Sequence, residues 1–249
     1  MPASLDTDLT DDQWQSIKSL LPQHRRGLHS PRRYLEALLY LVKTGCQWRA
    51  LPPCFPPWTA VYDRFRRWLG SGVLLRLHDA LRALVRRKQG RSVQPTMGLL
   101  DSQSVPVANQ GGLRGFDGGK RVWGRKRHIL TDTLGLLLAV HVHSARTHDS
   151  QAAVGVLRRA PVPQLRRVVA DEGYKGMPGG LVHRLLGGSF SLVARLGDGF
   201  VVLPRRWVVE RTFAWLGRYR RLTRDVERHA HVSEAMVYLA MTRIMLNRL

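Results

Sequence analysis

The sequence predicts an α/β protein. A mixed five-stranded sheet with flanking helices is preceded by a small all-helical N-terminal domain. Three observations carry this expectation. Residues from about 9 to 90 repeat apolar side chains at helical spacing. The polar stretch RKQGRSVQPT, residues 87–96, then breaks the pattern. Beyond it, short β-favouring runs alternate with helical ones in the order β-β-β-α-β-α-β-α, the signature of a mixed sheet covered by helices. The expected boundary divides residues 1–90 from 91–249.

The elements follow in order. Thr10 and Gln13 make a capping box before Trp14, Ile17, Leu20 and Leu21. Ser30 and Pro31 read as an N-cap and first helical residue. The helix behind them, RRYLEALLYLVKTG, stops at Gly45. After the proline-rich turn LPPCFPPW, the segment WTAVYDRFRRWLG places Val61, Phe65, Trp68 and Leu69 on one face, with Arg64, Arg66 and Arg67 largely off it. VLLRLHDALRALVRRK completes the helical part. Short helices with a basic segment fit a helix-turn-helix-like DNA-binding domain or a plain bundle with solvated arginines. In the second part MGLLDSQSVPVA reads as a strand, and RKRHILTDTLGLLLAVHVHSA as two strands joined at residues 131–135. Residues 149–160 read as a helix, RRVVADEGY as a strand, LVHRLL as a helix and SFSLVARL as a strand. Helices from Arg205 to about Tyr219 and over VSEAMVYLAMTRIMLNRL close the chain. The segment GGLRGFDGG reads as a flexible loop; as a nucleotide-binding signal it is weak, because no helix follows it.

Charge narrows the partners. Forty Lys and Arg face 18 Asp and Glu, a formal net charge of +22. Such an excess favours a polyanion, nucleic acid ahead of an anionic membrane surface. No apolar run approaches the ~20 residues of a membrane span, and MPASLDTDLTDDQW is too acidic for a signal peptide. The expected location is the cytoplasm, with the nucleoid. Cys46 and Cys54 are too few for a disulfide framework, and GCQWRALPPCF offers no further zinc ligands, so both read as reduced thiols.

With acids this scarce, their positions matter. Asp117, Asp132 and Asp198 read as turn residues. Three others differ: Asp101 follows an apolar run in the first strand, Asp171 ends the run Val168-Val169-Ala170, and Glu210 lies in a basic helix. A carboxylate at a core edge needs an arginine or a metal ion to offset its charge. At 100° per residue Glu210 points away from the arc of Val208, Val209, Thr212, Phe213, Trp215, Leu216, Tyr219 and Leu222. Its neighbours are Arg206, Ala214, Gly217 and Arg221. Two readings stay open for it: pairing with the arginines on a solvated face, or facing something bulky in the room the small residues leave. Taken together, the three acids suit a divalent metal at a phosphodiester, because magnesium prefers oxygen ligands and keeps substrate phosphate in its shell. Two ions roughly 3.5–4 Å apart can serve the attacking and leaving oxygens. In KRVWGRKRH, Trp123 sits among Lys120, Arg121, Arg125, Lys126 and Arg127, placed either to stack on a base or to pack at the surface; this stretch is the candidate DNA contact. His141 and His143 share a strand face and read as structural or solvated, and Asp149 reads as a helix cap.

Several blocks in register resemble the DDE transposases of bacterial insertion sequences, insertion sequence 5 group. The N-terminal LTDDQW, RRYLEALLYLVKTGCQWRALP and WTAVYDRFRRW are similar to that group's N-terminal domain. LLDSQSV, DGGKRVWGRKRHILTDTLGLLLAV, ADEGYKG and RRWVVERTFAWLGRYRRL resemble its catalytic blocks. The resemblance implies a ribonuclease H-like sheet, with Asp101, Asp171 and Glu210 as a triad holding Mg²⁺, for which Mn²⁺ can substitute. It implies double-stranded DNA as partner, both terminal inverted repeats and target, and a homo-oligomer on that DNA with no membrane role. Water would cut at the element end, and the released 3′-hydroxyl would attack target DNA without a covalent enzyme intermediate. Relatives carry Tyr, Arg, Glu and Lys at set intervals. Here Arg206 matches the Arg, while Leu203 and Gly217 stand where the Tyr and Lys would be, with Arg218 beside the latter. Little more than GDGFVVLPRR separates the last strand from the Glu210 helix, which implies no large inserted domain. A noncatalytic transposase-derived DNA-binding protein is opposed by the intact acids, and a plain ribonuclease H-like nuclease by the basic helical N-terminal part.

Overall fold

A computed structural model describes residues 5, 7–22, 29–108, 111–160, 162–177, 179–193 and 206–249. The expected turn at Asp198, the Leu203 position and the end of the last strand lie outside the described residues.

Four helices open the fold: α1 (Asp11–Ile17), α2 (Pro31–Thr44), α3 (Trp58–Gly70) and α4 (Val73–Lys88). Their ends obey local chemistry. Thr10 Oγ1 accepts from the Gln13 N–H, and the Gln13 side chain accepts from the Thr10 N–H. Ser30 caps α2 with Pro31 behind it. Gly45 ends α2 at φ 72°, and a Cβ there would sit 3.0 Å from the Arg220 Cβ, so glycine meets both the backbone and the packing demand.

The sheet has six strands: β1 (Met97–Pro106), β2 (Gly115–Asp117), β3 (Val122–Thr131), β4 (Leu137–Ser144), β5 (Arg167–Asp171) and β6 (Ser189–Val193). Strand β3 pairs antiparallel with β1, β2 and β4, whereas β5 runs parallel to both β1 and β6. Helices α5 (Asp149–Arg158) and α6 (Gly179–Leu186) make the crossovers, and α7 (Arg206–Gly217), α8 (Arg220–Thr223) and α9 (Ala230–Leu246) follow. The extra strand, β2, corrects the expected loop: Phe116 and Asp117 pair with Trp123 and Val122. Asp117 is accordingly a strand residue, holding the Ser104 hydroxyl and the N–H groups of Gly119 and Lys120.

Strand alternation sends side chains into two cores. Leu99, Ile129, Val140 and Val169 pack with α1–α4, α7 and α9. Leu100, Leu130, Val168 and Ala170 pack with α5 and α6. The first core runs without a break across residue 90, from Leu35 and Leu81 to Met241 and Met245. An ion pair crosses the same line. Arg86 pairs with the fully buried Asp132, which also accepts from the Leu134 and Leu136 N–H groups of its turn.

Candidate active site and nucleic-acid surface

Strands β1 and β5 run parallel with Met97 opposite Arg167, Gly98 opposite Val168 and Leu99 opposite Val169. Carried two residues on, this offset sets Asp101 beside Asp171. Neighbouring strands lie ~4.8 Å apart. Both aspartates share the parity of Leu99 and Val169, so both belong to the face covered by α7. Together with Val209 of α7 they line one small crevice, and Glu210 is the next residue on that helix, exposed as its phase predicts. Asp101 accepts from the Ser102 N–H at 2.7 Å and Asp171 from the Gly173 N–H at 3.0 Å. Among the described residues, no three His, Cys, Asp or Glu side chains form a metal-ligating group. The donor set is nonetheless oxygen-only, which suits a hard divalent cation.

The surroundings include groups that sequence reasoning passed over. Tyr174 is 1 % exposed. Burial, and then the charges of Asp101, Asp149 and Asp171, push its hydroxyl well above the usual tyrosine range, so it keeps its proton. Its signal was its place three residues after Asp171 in ADEGYKG. Lys126 Nζ stands 2.8 Å from Asp149 and 3.3 Å from Asp117. Burial works to raise Asp117, but hydrogen bonds from Ser104 and the Lys120 N–H, with Lys126 close by, hold its carboxyl down at about 2. His128 and His143 stack, with Nδ1 of one 2.7 Å from Nε2 of the other. Burial drives His128 well below the usual imidazole range and His143 to about 4. Asp149 begins α5, but the cap is the His148 side chain, which accepts from the Ser150 N–H.

The candidate DNA contacts are Lys120, Arg121, Trp123, Arg125, Lys126 and Arg127, with Arg64, Arg66 and Arg67 of the N-terminal part and Arg206, Arg218 and Arg221 around the Glu210 helix, and these twelve divide sharply. Arg66, Arg67, Lys120, Arg121, Trp123 and Arg218 are exposed. Lys120 Nζ also donates to the Ser102 carbonyl at 2.8 Å, which puts an ammonium one residue from Asp101. Trp123, 59 % exposed, stacks on the half-exposed Phe116. The Arg206 side chain lies outside the described residues.

The remaining five are buried, a correction to their reading as surface cations. Arg64 lies over the rings of Tyr34 and Trp68. Lys126 pairs as above. Arg221 binds Glu227 at 2.7 Å and the Cys46 carbonyl at 2.8 Å. Arg125, fully buried, bonds Asp225 at 3.0 Å and the carbonyls of Leu113, Glu227 and Arg228. Arg127 donates to the Leu222 carbonyl at 2.6 Å and lies 3.9 Å from Asp225. A buried guanidinium needs these partners because its desolvation is costly.

Comparison with known proteins gives matches along most of the chain. Residues 9–78 match the family model described as "Putative transposase of IS4/5 family". Residues 93–191 and 198–247 match two models described as "Transposase DDE domain". The chain is 39 % identical over 75 residues to "Uncharacterized protein y4sN" of Sinorhizobium fredii, covering 28 % of this chain and 60 % of that one. It is 33 % identical over 136 residues to "Putative transposase for insertion sequence element IS402" of Burkholderia cepacia, covering 51 % and 64 %. A second Burkholderia cepacia protein, "Insertion element IS402 uncharacterized 16.2 kDa protein", is 31 % identical over 113 residues, covering 41 % and 76 %. The chain thus spans a little under two thirds of the length of the first two relatives. The matched models and these relatives together place the chain among the DDE transposases of bacterial insertion sequences, in the IS4/5 family.

Proposed function

We propose that this chain binds the terminal inverted repeats of an insertion sequence, cuts DNA at their ends and joins the released 3′-hydroxyl to target DNA at the same site. The observation that carries the reading is that Asp101 and Asp171 lie on adjacent parallel strands, share one face and line one crevice, under the helix that bears Glu210. These three carboxylates would hold Mg²⁺, or Mn²⁺ in its place. The metal, when bound, supplies Lewis acidity and an activated oxygen nucleophile. The chain's own groups do the rest. The Lys120 ammonium, beside Ser102, is placed to draw a DNA phosphate toward Asp101. Tyr174 keeps its proton beneath the two aspartates, and β1 and β5 hold their backbones rigid. The mixed sheet, an antiparallel meander continued by two parallel crossover strands, supports a ribonuclease H-like assignment for residues 91–249. Residues 1–90 form the DNA-binding part in this reading, with Arg66 and Arg67 on the exposed side of α3. The working form is a homo-oligomer on DNA within the nucleoid. Among the described residues no helix is long and apolar enough to cross a membrane.

Asp101→Asn tests the reading. The variant should keep binding element-end DNA and lose cleavage in Mg²⁺, because ligand charge goes while the basic surface stays. Cleavage at the parent rate in a gel assay would remove Asp101 from the site.

A further inference from the structure

A second site lies outside the carboxylate crevice. Between α3, the turn at residues 47–51 and the entry to α9 runs an open cleft of about 1170 Å³. Its floor is aromatic. Trp48 meets Tyr62 edge-on at 5.1 Å and packs on Phe65 at 5.5 Å, while Trp58 carries Arg49 over its ring. Tyr62 is 38 % exposed, a large surface for a ring that has close neighbours to pack on. The rim is cationic: Arg49, Arg66 and Arg228 line it, all exposed. Among the described residues none of these three has a carboxylate at ion-pair distance. Glu227, the acid in the lining, is buried and bound to Arg221, so its charge is already matched.

The floor and walls are built in advance. Arg221 lies beneath Trp48, at 5.6 Å from its ring centre. Arg125 pins the backbone carbonyls of Glu227 and Arg228 from inside the sheet. Both arginines thus work from inside, shaping a surface that other arginines present.

We propose that this cleft binds an unpaired stretch of a DNA strand, with bases stacked on Tyr62, Trp58 and Trp48 and phosphates held by Arg49, Arg66 and Arg228. Rings beneath a cationic rim are what single-stranded nucleic acid requires, because every base has a face to stack and every link carries a charge. Paired DNA does not meet that description. Its bases are stacked on one another, and its convex backbone cannot lower them to a concave floor. The cleft is also larger than the ~300–1,000 Å³ typical of small-molecule sites, and it is open to solvent. The proposal shares with the transposase reading Arg66 and the fact that the ligand is DNA, and it makes no use of the carboxylates.

The test is fluorescence anisotropy with a labelled oligo(dT) of about 12 nucleotides, within the ~4–16 nucleotides of known single-strand sites, in EDTA. A duplex of about 20 base pairs serves as the comparison. Tyr62→Ala and Trp58→Ala leave the charge unchanged, so the loss reports stacking. Each should weaken oligo(dT) binding roughly 5–150-fold and leave duplex binding within about twofold, with melting curves showing both variants folded. Equal losses for oligo(dT) and duplex would make the cleft a general phosphate surface and overturn the proposal. So would unchanged oligo(dT) affinity in whichever of the two variants is folded. If the parent binds oligo(dT) as described but never cuts DNA in Mg²⁺, the transposition reading fails and the cleft assignment stands.

Discussion

Asp225→Ala should be among the most damaging single changes in this chain. The Asp225 carboxylate is fully buried and accepts from Arg125 Nη1 and the Glu227 N–H, each at 3.0 Å, and from Ser233 Oγ at 2.6 Å. Arg127, 2 % exposed, lies 3.9 Å away. Alanine removes one negative charge and leaves two guanidinium groups in the interior with no carboxylate at ion-pair distance among the described residues. Breaking a buried pair by removing one partner costs ~3–5 kcal/mol, and the second arginine puts this case at the upper end. That is a third or more of the ~5–15 kcal/mol that holds an ordinary domain together. At ~2–4 °C per kcal/mol for chains of this size, the melting temperature should fall by about 10–20 °C. Circular dichroism melts and urea titrations of parent and variant measure this. Adding Arg125→Met on top of Asp225→Ala should recover part of the loss, because one stranded charge goes with it. A drop below ~1 kcal/mol in Asp225→Ala would refute the argument, since it would mean that water reaches the arginines.

Glu210→Gln should abolish strand transfer, while Glu172→Gln, at an exposed position past the end of β5, keeps most of it; a strand-transfer assay beside thermal melts reads both. Glu227→Gln should lose ~1.5–3 kcal/mol of stability through its bond to Arg221, measured in urea. DNA affinity should fall roughly 10³–10⁵-fold between 50 and 200 mM salt if 6–10 phosphates are contacted; a flat plot of log affinity against log salt would give the charge another role. His143, held neutral by burial down to about 4, binds its proton later than it does in the unfolded chain. Stability should therefore drop as pH falls from about 6.5 to 4, and His143→Gln should shallow that slope in urea midpoints.

Sequence alone revealed what is local. Thr10, Ser30 and Gly45 mark helix ends because caps are decided within one turn. Asp101 and Asp171 each follow a short apolar run, so the first could be placed within a strand and the second at the end of one. Their shared register could not be read, because nothing in either segment states the offset between two strands almost seventy residues apart. Strand β2 escaped because three residues among glycines make no periodic pattern. The larger error concerned charge. Arg125, Lys126 and Arg127 looked like surface cations in a chain with a net charge of +22. Yet β3 is covered on both faces from Gly124 to Thr131, and the acid that answers Arg125 lies 100 residues further along the chain. The arc of Val208, Val209, Thr212, Phe213, Trp215, Leu216, Tyr219 and Leu222 was legible and is buried except at Trp215, which is half-buried.

The internal ion pairs also decide how the molecule meets its solvent. Glu36, Asp117, Asp132, Asp225 and Glu227 are all nearly inaccessible, and each is matched by a cation, which is itself buried for all but Glu36. A protein with 18 acids can ill spare five of them. Those left outside are too few to break up the cationic surface into the mixed pattern that keeps ordinary proteins from sticking to nucleic acid. In a cell lysate this chain should travel with whatever DNA or RNA is nearest, and a preparation at low ionic strength should carry nucleic-acid absorbance until strong salt strips it. Specific recognition must therefore be won against a high background of indiscriminate adhesion. Such a background favours capture of DNA close to where the chain is made over a search of distant sequence.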